Sequence, residues 1–309
     1  MFYQVYKLHF STAVHFGRGL LSDSQITVKA DTICSALCME ALQHGGEESL
    51  SEFIELLRRG GIRFSDTFPF IGDTLYLPKP MVPFENRNND MVVDTKLLKK
   101  IKYVPMERFQ DFISGKADLR TFSDALHGFG KHHVRQQVAI RGREETEPYN
   151  IGVFHFNEDA GLYFIAKFKD ENAQMILENY LDTLSFRGIG GKVSSGLGKF
   201  SFTIENLPED IERRFSYGKT TLKMTISTSA SVPEQLEDAV EGASYLLEKR
   251  TGFVQSEKFS ATQKRKEDFY AFQSGSCFRN AFQGDVFDVS SGGAHPVYRY
   301  AFPFFMEVL

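Results

Sequence analysis

The residues of this chain best suited to chemistry sit in one segment, Arg187-Gly-Ile-Gly-Gly-Lys-Val-Ser-Ser-Gly-Leu-Gly-Lys199. Gly188, Gly190, Gly191, Gly196 and Gly198 place five glycines within eleven positions. Glycine accepts positive φ and lacks Cβ, so backbone N–H groups in such a loop can approach an anion closely. Arg187, Lys192 and Lys199 add positive charge, and Ser194 and Ser195 add hydroxyl donors. This is the chemistry of a phosphate cradle. It is not a P-loop, because Lys192 is followed by Val193 and neither Gly-Lys pair has the required glycine spacing. No G-x-G-x-x-G register fits either, and the loop precedes a strand where both motifs would open a helix.

Other candidate chemistry is thinner. His15 lies in the loop after the first strand, where an imidazole could act as general base toward a 2′-hydroxyl or simply hydrogen-bond a phosphate or the backbone. His127, His132 and His133 lack zinc-ligand spacing and no Cys or carboxylate completes a set, so no metal is expected. Cys34 and Cys38 are spaced i, i+4 on a helix without a third ligand and read as packing residues. With Cys277 they make three cysteines and no CxxC, which implies no disulfide framework and a reducing compartment, simplest as the cytoplasm. Phe302, Phe304 and Phe305 could stack bases but at strand spacing read as core or interface.

The elements that must position the loop follow from hydrophobic period. Phe2–Phe10 alternates and predicts a strand. A helix is expected over about Asp31–His44, capped by Asp31 or Thr32, with Ile33, Ala36, Leu37 and Leu42 on its apolar face and Gly45-Gly46 at its end. A second helix is expected over Leu50–Arg59. Short strands follow near Ile62–Phe64, Phe68–Ile71 and Thr74–Leu77. Residues 78–124 read as irregular with one or two short helices. Strands are expected at Val134–Arg141, Gly152–Phe156 and Gly161–Phe168. The helix Ala173–Leu184 then leads into the glycine loop and the strand Lys199–Ile204. After a linker near Asn206–Lys219 the pattern restarts, with a strand at Thr220–Ser227, a helix at Glu234–Glu248 and a short strand at Gly252–Gln255. Basic and aromatic hairpin material fills Lys258–Phe287, and a Gly-rich turn then leads to an aromatic strand. The fold class is α+β with antiparallel sheets. Its expected architecture is two tandem ferredoxin-like (RRM-like, βαββαβ) units, residues 1–206 and 218–309, with the second helix of the second unit weak or missing.

Composition bounds the function. The chain has 309 residues, a hydrophobic share of 42% and a formal net charge of −4. It is therefore neither wholly disordered nor globally basic. No apolar run approaches the ~20 residues that span a bilayer, and the N-terminus has no signal-peptide pattern, so no membrane association is expected. Charge is uneven, however. Segments 1–22, 125–143, 183–204 and 289–306 contain no Asp or Glu, and they carry Arg18, Lys131, Arg135, Arg141, Arg187 and Lys192 among others. If these converge, they form a positive groove on a negative body, a site for a polyanion whose binding weakens with salt.

The chain also resembles the RAMP superfamily of CRISPR effector subunits. The similarity lies in the glycine loop Gly188–Gly198 after its helix, the entry segment His15-Phe-Gly-Arg-Gly19 with Asp31-Thr-Ile-Cys-Ser-Ala36, the region Val134–Phe156 before Gly161-Leu-Tyr-Phe164, and Gly292-Gly-Ala-His-Pro-Val-Tyr-Arg-Tyr300. It spans nearly the whole chain. Around Ala139-Ile-Arg-Gly-Arg143 the Asp-Arg pair that many relatives carry is absent. Within that superfamily the chain is most similar to the type III-A (Csm) subunit that holds the 5′ tag of the guide RNA beside the large polymerase/cyclase-type subunit. The resemblance implies a non-catalytic ribonucleoprotein subunit without cofactor, which bridges the large subunit and a backbone RAMP subunit. It also implies RNA contacts through His15, Phe16, Gly17, Arg18, Gly19, Arg135, Arg141 and the loop residues Arg187, Gly188, Gly190, Gly191, Lys192, Ser194, Ser195, Gly196 and Gly198. A metal-independent RAMP endoribonuclease processing repeat RNA is the alternative, and a protein-interaction scaffold is a third reading.

Overall fold

The computed structural model describes residues 1–17, 19–82, 95–116, 118–141, 145–216, 218, 221–256 and 258–308. Strand β1 (Phe2–Phe10) is followed by helix α1 (Ala30–Arg58), strands β2 (Ile62–Phe64), β3 (Phe68–Ile71), β4 (Thr74–Pro78) and β5 (Tyr103–Pro105), and a long hairpin, β6 (Gly130–Arg141) with β7 (Glu145–Phe156). Strand β8 (Ala160–Phe168), helix α2 (Glu171–Arg187) and strand β9 (Phe200–Asn206) complete the first half. The main sheet runs β9-β1-β8-β3-β4-β5, with β2 also paired to β8, and every pairing is antiparallel.

Both faces of this sheet are buried, which explains the burial of consecutive residues Val5, Tyr6, Lys7 and Leu8 in β1. Alternation sends Tyr6, Leu8, Leu162, Phe164 and Ala166 to the face covered by α1 and α2, where they meet Ile33, Leu37, Leu57, Leu177 and Leu181. The opposite face carries Val5, Tyr163, Ile165 and Phe68 against Met224, Ile226, Phe304 and Met306 of the second half. The two halves therefore share a core.

Helix α1 bends where the sequence predicts its end. Gly45 and Gly46 leave helical geometry, Gly46 at φ +70°, so the two expected helices form one bent element. Its start differs from expectation. The N-cap is Lys29, whose side chain makes no capping bond. Buried Asp66 does the capping across space, its Oδ1 accepting from the Ala30 N–H at 2.8 Å. The same carboxylate accepts from Thr228 N–H and Thr228 Oγ1, both at 2.8 Å. Asp31 is thus released for another role. Helix α2 ends on Gly188 and is capped at its start by Asp170, whose Oδ1 accepts from Ala173 N–H at 3.0 Å.

The second half has strands β10 (Lys223–Thr225), β11 (Leu247–Arg250), β12 (Phe269–Phe272), β13 (Cys277–Phe278), β14 (Val286–Asp288), β15 (Tyr298–Tyr300) and β16 (Phe305–Glu307). They form a three-stranded sheet, β13-β10-β16, and the pairs β11-β12 and β14-β15. The expected helix Glu234–Glu248 is corrected. Only a 3₁₀ turn at Pro233–Gln235 and helix α3 (Leu236–Val240) form there. Gly242 at φ +62° turns the chain, and Leu247–Arg250 is extended and paired with β12. The expected strand Gly252–Gln255 reduces to an isolated bridge between Phe253 and Arg265. The expectation of only irregular chain and short helices at 78–124 missed β5, which joins the main sheet through β4. No helix among the described residues is long and apolar enough to cross a membrane.

Candidate nucleic-acid interface

A groove of about 600 Å³ runs between the two halves. One wall is the segment His15–Gly17, the outer turns of α1 and the glycine loop. The other is the stretch Arg250–Phe253 with Lys266, Tyr298 and Arg299. Six cations line it among the described residues, Lys29, Arg187, Lys192, Arg250, Lys266 and Arg299, against the carboxylates Asp31 and Glu40. An overall acidic chain thus presents a locally positive cleft, which attracts polyanions by local potential.

The glycine loop is a folded object. Gly188 and Gly198 close its neck: Ile189 N–H donates to the Gly198 carbonyl at 3.0 Å, and Gly198 N–H donates to the Ala13 carbonyl at 2.9 Å. At Gly198, with φ +78°, a Cβ would strike the Ile189 carbonyl. The middle of the loop rests on His15 and Phe16. Gly191 N–H donates to the His15 carbonyl at 2.8 Å, and a Cβ at Gly190 would lie 2.8 Å from that same oxygen. Lys192 then takes the left-handed conformation, φ 62°, and leads into a 3₁₀ turn over Val193–Ser195. Ser194 and Ser195 are exposed, and Gly196 faces open space at φ +80°. The Lys192 ammonium stands 5.2 Å from the centre of the Tyr149 ring, a cation–π contact with β7.

His15 is 5% exposed, and its Nδ1 donates to the Gly152 carbonyl at 2.6 Å. The ring holds the loop and hairpin together beneath the groove. Arg187 is committed to α1: its Nε lies 3.1 Å from Oε1 of buried Glu40, and Nη2 donates to Gln43. Arg135 is exposed on β6, outside the groove lining. The backbone of Arg141 pairs with Glu145 at the far end of the hairpin. Gly17 lies on the lining and Gly19 is exposed beside it, while Arg18 falls outside the described residues. The structure thus brings together the entry segment and the glycine loop, and Arg135 is not among the residues that line the groove with them.

Among the other sequence candidates, Phe302, Phe304 and Phe305 are buried, in keeping with packing. Cys34 and Cys38 face each other with sulfurs 4.0 Å apart, and that contact together with burial raises the Cys34 thiol pKa. No cluster of three or more metal-ligating side chains exists among the described residues.

The opposite wall was read from sequence only through the acid-free segment 289–306, which supplies Tyr298 and Arg299. Asp31 accepts a two-pronged bond from Arg250, Nε to Oδ2 at 3.0 Å and Nη2 to Oδ1 at 2.7 Å, and a further one from Arg299 Nη1. Burial alone would raise the Asp31 pKa. The Arg250 and Arg299 guanidiniums outweigh it and hold the carboxyl below the usual range. Burial and the Arg299 charge lower the Lys266 pKa, with Asp31 opposing. The Lys264-Arg265-Lys266 run was a readable signal for this wall, but the partnership of Arg250 with Asp31, 219 positions apart, had none.

Comparison with known proteins places these features in a family. Residues 218–308 match the family model for the CRISPR Csm4 C-terminal domain. The CRISPR system Cms protein Csm4 of Mycobacterium tuberculosis is 37% identical over 295 residues, covering 95% of this chain and 94% of that protein. The Streptococcus thermophilus protein of the same name is 32% identical over 316 residues, covering 100% of this chain and 99% of that one. In fold, the chain is similar to one in a crystal structure of a Csm3–Csm4 subcomplex of the type III-A CRISPR-Cas interference complex. That likeness has a TM-score of 0.70 at 20% identity and covers 99% of both chains. A chain of a Csm1–Csm4 cassette in complex with cA4 gives a TM-score of 0.63 at 17% identity, covering 99% of this chain and 98% of that one.

Proposed function

The chain belongs to the Csm4 family of type III-A CRISPR systems, and from that premise we propose that it is the guide-RNA-binding subunit that anchors the repeat-derived 5′ tag. The observation that carries this reading is the groove, which the glycine loop helps to line and which holds six cations against two carboxylates among the described residues. The loop's exposed hydroxyls at Ser194 and Ser195 and its Lys192 tip suit a sugar–phosphate backbone. The architecture that serves this role is two tandem ferredoxin-like units, residues 1–206 and 218–309. The first follows strand, helix, strand pair, helix, strand, and the second is reduced in its helices. The solved assemblies pair Csm4 with Csm3 and with Csm1, and on this reading the chain's partners are a backbone RAMP subunit and the large polymerase/cyclase-type subunit, in the cytoplasm.

The role is binding and not catalysis. A nuclease reading rests on His15, and its ring lies buried against the Gly152 carbonyl, where a substrate hydroxyl has little access. Repeat RNA incubated with the purified chain is expected to stay intact; cleavage lost in His15→Ala would overturn this.

The assembly is tested by affinity purification of the tagged chain, sequencing of copurifying RNA and identification of copurifying proteins. Short RNAs sharing a common 5′ tag are expected. A 1:1 complex with the large subunit should survive RNase, whereas the contact with the backbone subunit should need guide RNA, since RNA threaded through both raises their effective concentration. A lone monomer in every coexpressed pairing overturns the reading.

A further inference from the structure

The second half contributes a short two-stranded ribbon to the groove. Val254 N–H donates to the Lys264 carbonyl and Lys266 N–H to the Gly252 carbonyl, both at 2.9 Å, with Phe253 bridged opposite Arg265. Of these residues, Gly252, Phe253 and Lys266 line the groove together.

The ribbon's surroundings carry surplus positive charge. Lys29, Arg250, Lys266 and Arg299 gather against Asp31, Asp66 and Glu248. Arg250 and Arg299 are spent on Asp31, and Lys29 pairs with Asp66 and Glu248. Lys266 has no ion pair among the described residues, and the buried Arg299 Nε has no hydrogen-bond partner. A half-buried ammonium beside two guanidiniums favours the approach of an anion.

At the rim, Phe253 lines the groove with 45% of its surface exposed. The Arg265 guanidinium stands 5.5 Å from its ring centre. An exposed aromatic and a half-buried ammonium, Phe253 and Lys266, lining one groove offer a nucleotide both contacts it needs, a π-face for the base and a positive charge for the phosphate.

We propose that the ribbon Gly252–Val254 and Lys264–Lys266 is a nucleotide seat across the groove from the glycine loop, in which Phe253 stacks one base of the single-stranded RNA and Lys266 takes its phosphate. This rests on the RNA-binding reading above and adds a sequence-tolerant anchor in the second half, where stacking needs no particular base.

The test is a salt series of binding curves with the full chain and a fluorescein-labelled guide RNA transcribed from the host array. Phe253→Ala is expected to weaken binding about tenfold with an unchanged salt slope, and Phe253→Trp to restore it. Lys266→Met keeps the aliphatic stem and should lower the log–log salt slope by about 0.7, the share of one single-strand phosphate contact. Lys192→Glu is the reference arm. If the wild type fails to bind, or Lys192→Glu binds equally well, the RNA reading itself fails. If Lys192→Glu weakens binding while Phe253→Ala and Lys266→Met bind like the wild type, only the seat is overturned. Loss of a protein partner from Phe253→Ala with RNA affinity intact also overturns it. Should Lys266→Met lower the melting temperature, the exposed Phe253 decides, and an unchanged affinity there refutes the seat.

Discussion

The two walls of the groove hold positive charge by different physical means. On the glycine wall, Lys192 sits on an exposed loop tip with its ammonium over Tyr149, and backbone geometry positions the donors. On the opposite wall, Arg250 and Arg299 are clamped on a buried carboxylate, Asp31, which is 6% exposed. The first arrangement leaves its charge free for a ligand at small folding cost. The second ties helix α1 to strands β11 and β15 and so holds the two halves in register around the cleft. The difference teaches that a basic cleft need not use each of its cations for binding, because some build the cleft.

The comparison breaks most visibly at Asp31. Asp31→Ala leaves the buried Arg299 and the half-buried Arg250 without this carboxylate and is expected to destabilise the chain by about 3–5 kcal/mol in urea unfolding. The pH dependence follows the same pair. The folded-state pKa of Asp31 is depressed, so its stabilisation is fully present above the unfolded value of about 4 and disappears as pH falls through the folded value. Wild-type unfolding free energy should therefore be flat in this respect at neutral pH and fall in acid, and the slope should diminish in Asp31→Ala. An equal acid slope in both proteins would remove Asp31 from the account.

Within the glycine wall, neck and tip should separate. Gly198→Ala adds both a left-handed penalty and a collision with the Ile189 carbonyl, for a loss of about 2–3 kcal/mol. Gly196→Ala meets open space at φ +80° and should lose only about 1 kcal/mol. Thermal melts of the two variants side by side check this, and equal losses would show that space plays no part.

Charge reversal at the tip sharpens the contrast in function. Lys192→Glu should weaken guide-RNA binding about tenfold or more, with stability changed by no more than about 0.5 kcal/mol. The smallest effect is expected from Tyr149→Leu, which removes the ring beside the ammonium and should cost about 0.5–1 kcal/mol of loop stability. Hydrogen exchange at the loop amides is the measurement that resolves it.

The same chain shows where local pattern suffices. The strand Phe2–Phe10, the bend at Gly45-Gly46 and the helix leading into the glycine loop were legible, because period and glycine placement act within a few residues. The glycine loop was legible as a cationic, glycine-rich connection from composition alone, although most of its shape comes from resting on His15 and Phe16. The region Glu234–Glu248 misled for the opposite reason. Its helical pattern is overridden by Gly242 and by the pairing of Leu247–Arg250 with Phe269–Phe272.

By itself the sequence determined the class of fold, most of the first half's element order apart from β5, and one wall of the groove, since hydrophobic period and glycine spacing are encoded over short distances. The tertiary structure alone decided that Asp66 caps α1, that Asp31 clamps Arg250 and Arg299, and that Phe253 and Lys266 face the glycine loop. Those partnerships join residues up to 268 positions apart. A buried charge selects its partner by desolvation and geometry once the core has closed, and neither quantity exists in the extended chain.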